Sequence, residues 1–262
     1  MKRLDLVLVE RGVFSSREKA KAAILEGYVS LGDKTVFKPS FLVSDDDKIN
    51  VLQVDNFVSR GAFKLKKAFE TFNFQFKDKI VLDIGASTGG FTQFALMKGA
   101  SKVYAVDVGS GELDKSLVED GRVVNIENQD FRYLNKNKCS DVNLIIGDVS
   151  FISLRHILPK IVELYGNRIE VVMLFKPQFE CGVELARKFK GVVLDKKVHE
   201  KLLREFLEYV KGLGFLFSDL TYSDKPGKEG NIEYLFHLNG TDFKKFKIEE
   251  IVNEAFKNLK EV

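Results

Sequence analysis

The chain is poor in the residues that usually bind metals or staple small folds. Two cysteines, Cys139 and Cys181, and three histidines, His156, His199 and His237, are scattered over 262 residues. None of them stands at metal-ligand spacing, so no metal site is expected, and a disulfide framework is excluded. Two reduced thiols fit a cytoplasmic protein. No apolar run approaches a membrane span, and no membrane partner is expected. The opening MKRLDLVLVERG has charges on both sides of a very short apolar stretch, unlike a signal peptide. Strong net charge is missing too: 41 Lys and Arg against 38 Asp and Glu leave +3. Bulk charge therefore names no partner, and the placement of basic residues must carry that argument. Internal repeats and low-complexity tracts are absent. What is present, 45% hydrophobic and 30% charged residues, suits a globular protein of one large or two smaller domains.

The stretch KIVLDIGASTGGF, Lys79 to Phe91, organises the rest. Its apolar run Ile80–Ile84 has the character of a buried parallel strand. Gly85, Gly89 and Gly90 follow, and then a helical pattern. A glycine turn between strand and helix lets backbone approach a ligand and points helix amides at it. From there strands and helices alternate: KVYAVDVG, RVVNIE, VNLIIGDVS and EVVMLFKP read as strands. A long amphipathic helix covers about 195–211, FLFSDLTYS and NIEYLFHL form an antiparallel pair, and a lysine-rich helix runs from Phe243. This predicts an α/β, doubly wound, Rossmann-like sheet, mostly parallel with its last strand antiparallel.

Residues 1–51 read as a small α+β unit of their own. Leu4, Val7 and Leu8 follow helical spacing, and Gly12 closes that helix. Ser15 or Ser16 caps a second helix closed by Gly27, and a hairpin turns at Gly32-Asp33. Over residues 1–40 eight Lys and Arg face five Asp and Glu, with Arg17, Lys19 and Lys21 on one helix face and Lys34 and Lys38 by the hairpin. Such a unit suits binding, although charge runs are usually solvated faces. Residues 52–60 read as a linker and 61–262 as a second, larger domain. Arg60, Lys64, Lys66 and Lys67 crowd the first turns of the next helix, where cations oppose its dipole. That cost is tolerated most easily where they face an anionic ligand or buried carboxylates.

Ligands of an open α/β sheet lie beyond the carboxyl ends of its strands. Those ends present Asp83, Asp107 with Gly109, Asp130, Asp148 and Lys176, and the last strand presents Glu233. Asp107, 22 positions after Gly85, can accept hydrogen bonds from ribose hydroxyls of NAD or of S-adenosylmethionine. Asp83 can meet the amino group of the latter's methionine part, and Asp130 an adenine amine. No hydride-transfer apparatus accompanies them, so S-adenosylmethionine is favoured. Lys64, Asp148, Lys176 and Glu233 are either two separate ion pairs or one set in which a lysine amine takes a proton from a hydroxyl. Spacing alone leaves these two readings even.

Two resemblances bear on that choice. RLDLVLVERG, Ser16–Ala20, Ile24, Gly27, Val29 and the hairpin lysines resemble the small RNA-binding domain first seen in a ribosomal small-subunit protein. VSRGAFKL, DIGASTGGFT, GASKVYAVDVGSGEL, DVSFISL, LFKPQFE, GVVLD and GNIEYLF, in that order, resemble the TlyA family. Its members are ribosomal RNA 2′-O-methyltransferases once labelled haemolysins, and FtsJ-type enzymes are more distant kin. The resemblance implies a class I methyltransferase sheet and a catalytic tetrad of Lys64, Asp148, Lys176 and Glu233. It implies S-adenosylmethionine held by Asp83, Gly85, Ala86, Ser87, Thr88, Gly89, Gly90, Phe91, Asp107, Val108 and Asp130. RNA contacts are expected at Arg3, Arg17, Lys19, Lys21, Lys34, Lys38, Arg60, Lys66 and Lys67. The implied acceptor is a cytidine ribose of ribosomal RNA in assembled subunits; the sequence leaves the oligomeric state, monomer or weak dimer, open. The chain departs from the family pattern at Phe57, Ala62 and Asp130. A membrane-lytic protein and a non-catalytic RNA-binding assembly factor are the competing classes, and the sequence favours neither.

Overall fold

The computed structural model describes residues 1–14, 16–25, 27–32, 34–51, 57–227, 230–240 and 246–259, without the side chains of Lys19 and Ala22. They fall into two compact units, one ending at Arg60 and one running from Gly61 to Leu259.

In the first unit, β1 (Lys2–Arg3) leads into α1 (Leu4–Glu10) and α2 (Arg17–Leu25). Then come β2 (Val29–Leu31), β3 (Lys34–Thr35), β4 (Leu42–Val43) and β5 (Ile49–Val51). β2 pairs antiparallel with both β3 and β5, and β1 with β4. The helical spacing of Leu4, Leu8, Ala20 and Ile24 is borne out by their complete burial. Gly12, at φ +70, turns the chain out of α1 at low steric cost. The expected hairpin turns at Gly32, φ +58; Asp33 and the alternative cap Ser15 lie outside the described residues, as do residues 52–56 of the expected linker. The pairing of β1 with β4 and of β5 with β2 was not legible in the sequence, because two- and three-residue strands carry no readable periodicity.

The second unit begins with α3 (Gly61–Thr71), β6 (Ile80–Ile84), α4 (Gly90–Met97), β7 (Lys102–Val106), α5 (Lys115–Val118) and β8 (Val123–Ile126). It continues with β9 (Leu144–Gly147), α6 (Leu154–Tyr165), β10 (Glu170–Phe175), α7 (Pro177–Glu180), α8 (Gly182–Lys188) and α9 (Lys196–Gly212). β11 (Phe217–Tyr222), β12 (Tyr234–Leu238) and α10 (Ile248–Leu259) close it. Residues 243–245, where the last helix was expected to begin, lie outside the described set.

Among the described residues β6 to β12 form one sheet in the order β11-β12-β10-β9-β6-β7-β8. β6 pairs in parallel with β7 on one side and β9 on the other, so the direction of winding reverses at β6. β12 alone runs against its neighbours, antiparallel to β10 and β11. Val171, Val172 and Met173 of β10 and Leu144, Ile145 and Ile146 of β9 are fully buried, as a strand covered on both faces demands. α9 buries Leu203, Phe206 and Val210 along one face, and α10 buries Val252, Ala255 and Phe256. Burying each such aliphatic or aromatic side chain contributes about 1.5–3 kcal/mol. No helix among the described residues is long and apolar enough to cross a membrane.

His199 is enclosed in this packing. Its ring nitrogens meet the Tyr234 hydroxyl at 2.8 Å and the Val193 carbonyl at 2.9 Å. Burial pushes its pKa from 6.5 down to about 4, against the Val193 hydrogen bond. The folded chain holds this imidazole neutral, so its contribution to stability is complete above pH 6.5 and is lost as pH falls through about 4. Measured by urea unfolding, the stability advantage of the wild type over His199→Gln is expected to shrink across that window. An advantage independent of pH would show that His199 titrates alike in both states.

Candidate active site

The carboxyl ends of β6, β7 and β9 open onto one cleft of about 780 Å³, a size usual for small-molecule sites. Gly85 lines it at φ +80, and a Cβ there would press on the Asp148 carbonyl at 3.3 Å. The glycine is thus required both by its backbone angle and by the close approach of β9. Ser87 follows in a left-handed conformation, φ +48. Asp107 braces the turn: Oδ2 accepts from the Ser87 amide and Oδ1 from the Gly109 amide, both at 2.8 Å. Asp130 also reaches the wall, but its carboxylate caps the Arg132 amide and pairs with the Arg132 guanidinium at 2.6 Å. Those hydrogen bonds from Arg132 hold it below the usual carboxylate range.

Of the side chains expected to hold a cofactor, Gly85, Ser87, Val108, Asp107 and Asp130 line the cleft. Ala86, Thr88, Gly89, Gly90 and Phe91 do not. Ala86 borders a minor pocket beside Ser87. Gly89, at φ +95, lies where a Cβ would run into Leu113 and Leu117, and Phe91 is buried in α4. Asp83 is fully buried and outside the wall as well. Its Oδ2 accepts from the Thr92 hydroxyl at 2.7 Å, while Oδ1 is buried with no hydrogen-bond partner.

The four lysine and carboxylate side chains meet. Asp148 follows β9, Lys176 follows β10, and Glu233 precedes β12, whose reversed direction brings its first residue to the same edge. α3 supplies Lys64. Its Nζ lies 2.7 Å from Glu233 Oε2 and 3.3 Å from Asp148 Oδ2, and Lys176 Nζ lies 2.6 Å from Asp148 Oδ1. Lys64, Lys176 and Glu233 are 5%, 7% and 2% exposed, while Asp148 keeps part of its surface on the cleft wall. Burial by itself would raise the Asp148 pKa; the Lys64 and Lys176 charges outweigh it and hold the carboxyl well below its usual range. The four side chains therefore converge, and Asp148 bridges both lysines.

Several neighbours carried no signal beyond their motif. Lys176 Nζ donates to Ser150 Oγ at 2.9 Å, and Gln178 Nε2 donates to Glu233 Oε1 at 3.2 Å. Glu180 accepts from Ser153 Oγ at 2.6 Å and from the Leu154 amide at 2.7 Å, and its burial pushes its carboxyl upward. Phe151 lines the cleft 85% exposed at φ +61, its ring 5.3 Å from that of Phe179. A phenylalanine held there costs about 1–2 kcal/mol of backbone strain, which marks the position as a functional candidate.

The expected RNA contacts divide. In the first unit Asp5 is fully buried and accepts from Arg3 Nε at 2.9 Å and Nη2 at 3.0 Å, and from Arg17 Nε at 3.0 Å. Hydrogen bonds from Arg3, with burial opposing and Arg17 assisting, take the Asp5 carboxyl down to about 2. Arg3 and Arg17 thus anchor the unit while leaving part of each side chain exposed. Lys34 and Lys38 are exposed and Lys21 half-buried; the Lys19 side chain lies outside the described set. Arg60 lies over the Phe37 ring at 5.9 Å. Lys66, in the second unit, is 3.8 Å from Glu70, and Lys67 is half-buried. Among the described residues no group of three metal-binding side chains occurs.

Asp83 carries a pH signature. Burial, opposed by the Thr92 hydrogen bond and assisted by the Asp148 charge, raises its pKa from 3.8 to about 7. An acid whose folded pKa is raised favours folding below its unfolded value, and that contribution is lost as pH climbs toward the folded one. Asp83→Asn should therefore gain stability relative to the wild type as pH rises from about 4 through about 7, read as the difference in urea midpoints. A constant difference would refute the assigned protonation.

Comparison with known proteins gives two family matches. FtsJ-like methyltransferases match residues 57–240, and the S4 domain matches residues 2–49. YqxC of Bacillus subtilis (strain 168), provisionally named an rRNA methyltransferase, is 42% identical over 99% of this chain and 95% of its own. The 16S/23S rRNA (cytidine-2'-O)-methyltransferase TlyA of Mycobacterium tuberculosis is 38% identical over 90% of this chain and 89% of its own. A solved structure from Streptococcus thermophilus, provisionally labelled a hemolysin, superposes with a TM-score of 0.75 at 37% identity, over 99% of this chain and 97% of that one. With its cleft at the strand reversal, its bridged lysines and carboxylates and an S4 domain in front, the chain belongs to the TlyA family of FtsJ-like methyltransferases.

Proposed function

We propose that this chain methylates the ribose 2′-hydroxyl of ribosomal RNA, with a cytidine in assembled subunits as the acceptor. The observation that carries the reading is the joined set Lys64, Asp148, Lys176 and Glu233 beside a cofactor-sized cleft. The name borne by the Mycobacterium tuberculosis relative supports the acceptor. S-adenosylmethionine, when bound, supplies a methyl group already activated on a sulfonium. Gly85, Ser87, Asp107 and Asp130 are the wall residues fitted to hold it, with hydroxyl acceptors and close backbone but no bulky side chain at the turn.

The chain's own task is to hold and deprotonate the acceptor. A ribose hydroxyl is a poor nucleophile until its proton departs, and a placed base contributes about 10²–10⁴-fold. Lys176, in its amine form, would take the 2′-hydroxyl proton at Nζ as that oxygen receives the methyl group a bound S-adenosylmethionine would supply. The hydroxyl proton would end on the Lys176 ammonium and the donor would leave as a neutral thioether, so charge balances. Lys64, held between Glu233 and Asp148, keeps Asp148 ionised beside that ammonium as it forms. The exposed Phe151 ring offers a stacking face for the acceptor base. In the S4 domain, the exposed Lys34 and Lys38 would meet phosphates.

Two measurements test this reading. Labelled methyl from S-adenosylmethionine should enter the RNA of supplied ribosomal subunits, and Lys176→Ala should lower that rate by roughly 10²–10⁴-fold with cofactor affinity kept. Undiminished turnover in the variant would remove Lys176 from the chemistry. Subunit binding should weaken steeply with salt, and the double variant Lys34→Glu, Lys38→Glu should flatten that slope. An unchanged slope would exclude phosphate contacts at those positions.

A further inference from the structure

We propose that Ser150 is a positioning residue that aims the Lys176 amine at the acceptor hydroxyl, an inference that rests on the reading of Lys176 as the base. A primary amine turns freely about its Cε–Nζ bond. In its neutral form it has two N–H groups and one lone pair, and only the lone pair accepts a proton. A base is effective when that lone pair is held toward the hydroxyl. Two fixed acceptors for the two N–H groups leave the lone pair a single direction.

Asp148 alone does not provide this. Its Oδ1 lies 2.6 Å from Lys176 Nζ, yet no in-line hydrogen bond is made there. The contact supplies charge and little direction. The directional hydrogen bond of Lys176 goes to Ser150 Oγ at 2.9 Å. Ser150 stands on the cleft wall and Lys176 is nearly buried. With one N–H held in line by Ser150 and the Asp148 charge drawing the other toward itself, the remaining position of Nζ is the one left for the substrate.

Ser150 is itself held in place. The segment from Asp148 to Ser153 and the segment from Lys176 to Glu180 are joined at both ends. Near one end Lys176 meets Asp148 and Ser150. At the other, Glu180 takes the Ser153 hydroxyl and the Leu154 amide. Between them the rings of Phe151 and Phe179 are in contact. A hydroxyl in a braced segment can direct a neighbour, whereas one in a loose loop follows it.

The test uses the full chain with ribosomal subunits, and compares the wild type with Ser150→Ala and Ser150→Thr. One hydrogen bond that directs a catalytic group is worth roughly tenfold in rate. Ser150→Ala should therefore lose roughly tenfold in kcat with both KM values unchanged, and Ser150→Thr, which keeps the hydroxyl, should recover it. Without cofactor or RNA, the ¹⁵N–¹H resonance of the Lys176 ammonium should be sharp in the wild type and in Ser150→Thr, and broadened in Ser150→Ala. Wild-type kcat in Ser150→Ala overturns the inference. So does a loss shared by Ser150→Ala and Ser150→Thr, or one confined to KM, since each would give Ser150 a role in packing or binding. A wild-type chain that transfers no methyl group overturns the underlying reading itself, a result distinct from an active wild type with an indifferent Ser150.

Discussion

A lysine buried between two carboxylates sets the terms for the second unit. Lys64 is withdrawn from water against Glu233 and Asp148, and Asp148 in turn holds Lys176. An isolated charge at such depth costs several kcal/mol, and only close partners offset it. The set joins two lysines to two carboxylates, so each member depends on the others. It ties α3 to the edges of β9, β10 and β12, which are distant in sequence. It also accounts for an apparent fault in the sequence, cations in the first turns of a helix. For Lys64 the local cost to the dipole is outweighed by buried carboxylates.

The same edge of the sheet holds a carboxylate treated in the opposite way. Asp83, at the end of β6, has no ion pair among the described contacts, and burial carries its pKa to about 7. Asp107, one strand over, spends both oxygens on the backbone of the glycine turn and next to it. Three aspartates at neighbouring strand ends thus differ in their use. One is ionised between lysines, one braces a turn, and one is held near neutrality. Their surroundings, and nothing in the residue type, separate them.

The S4 unit shows how a basic residue can have a prior engagement. Arg3 and Arg17 look like phosphate ligands in a short basic module, yet both clasp the buried Asp5. A buried carboxylate with two arginines is a firm anchor for α1 and α2, and it fixes where the exposed parts of the guanidiniums stand. Lys34 and Lys38, beside a hairpin with no such partner among the described contacts, keep the exposure that a backbone-binding surface requires.

By itself the sequence determined the architecture. The alternation of apolar strands with amphipathic helices, the glycine turn after Ile84, and the types and order of Lys64, Asp148, Lys176 and Glu233 were all legible, because strand burial and helix periodicity are local properties. Ordered motifs carried the family. Tertiary structure decided what those residues do to one another. That Asp148 bridges both lysines follows from the strand order and from the reversed direction of β12, neither of which leaves a periodic trace. That Asp83 is fully buried off the cleft wall, and that Gly89 packs against Leu113 and Leu117, follows from packing between segments far apart in the chain. Ser150, Gln178 and Glu180 were invisible as single letters within recognised motifs. Their roles are hydrogen bonds across two loops, and such contacts exist only once the sheet has brought those loops together.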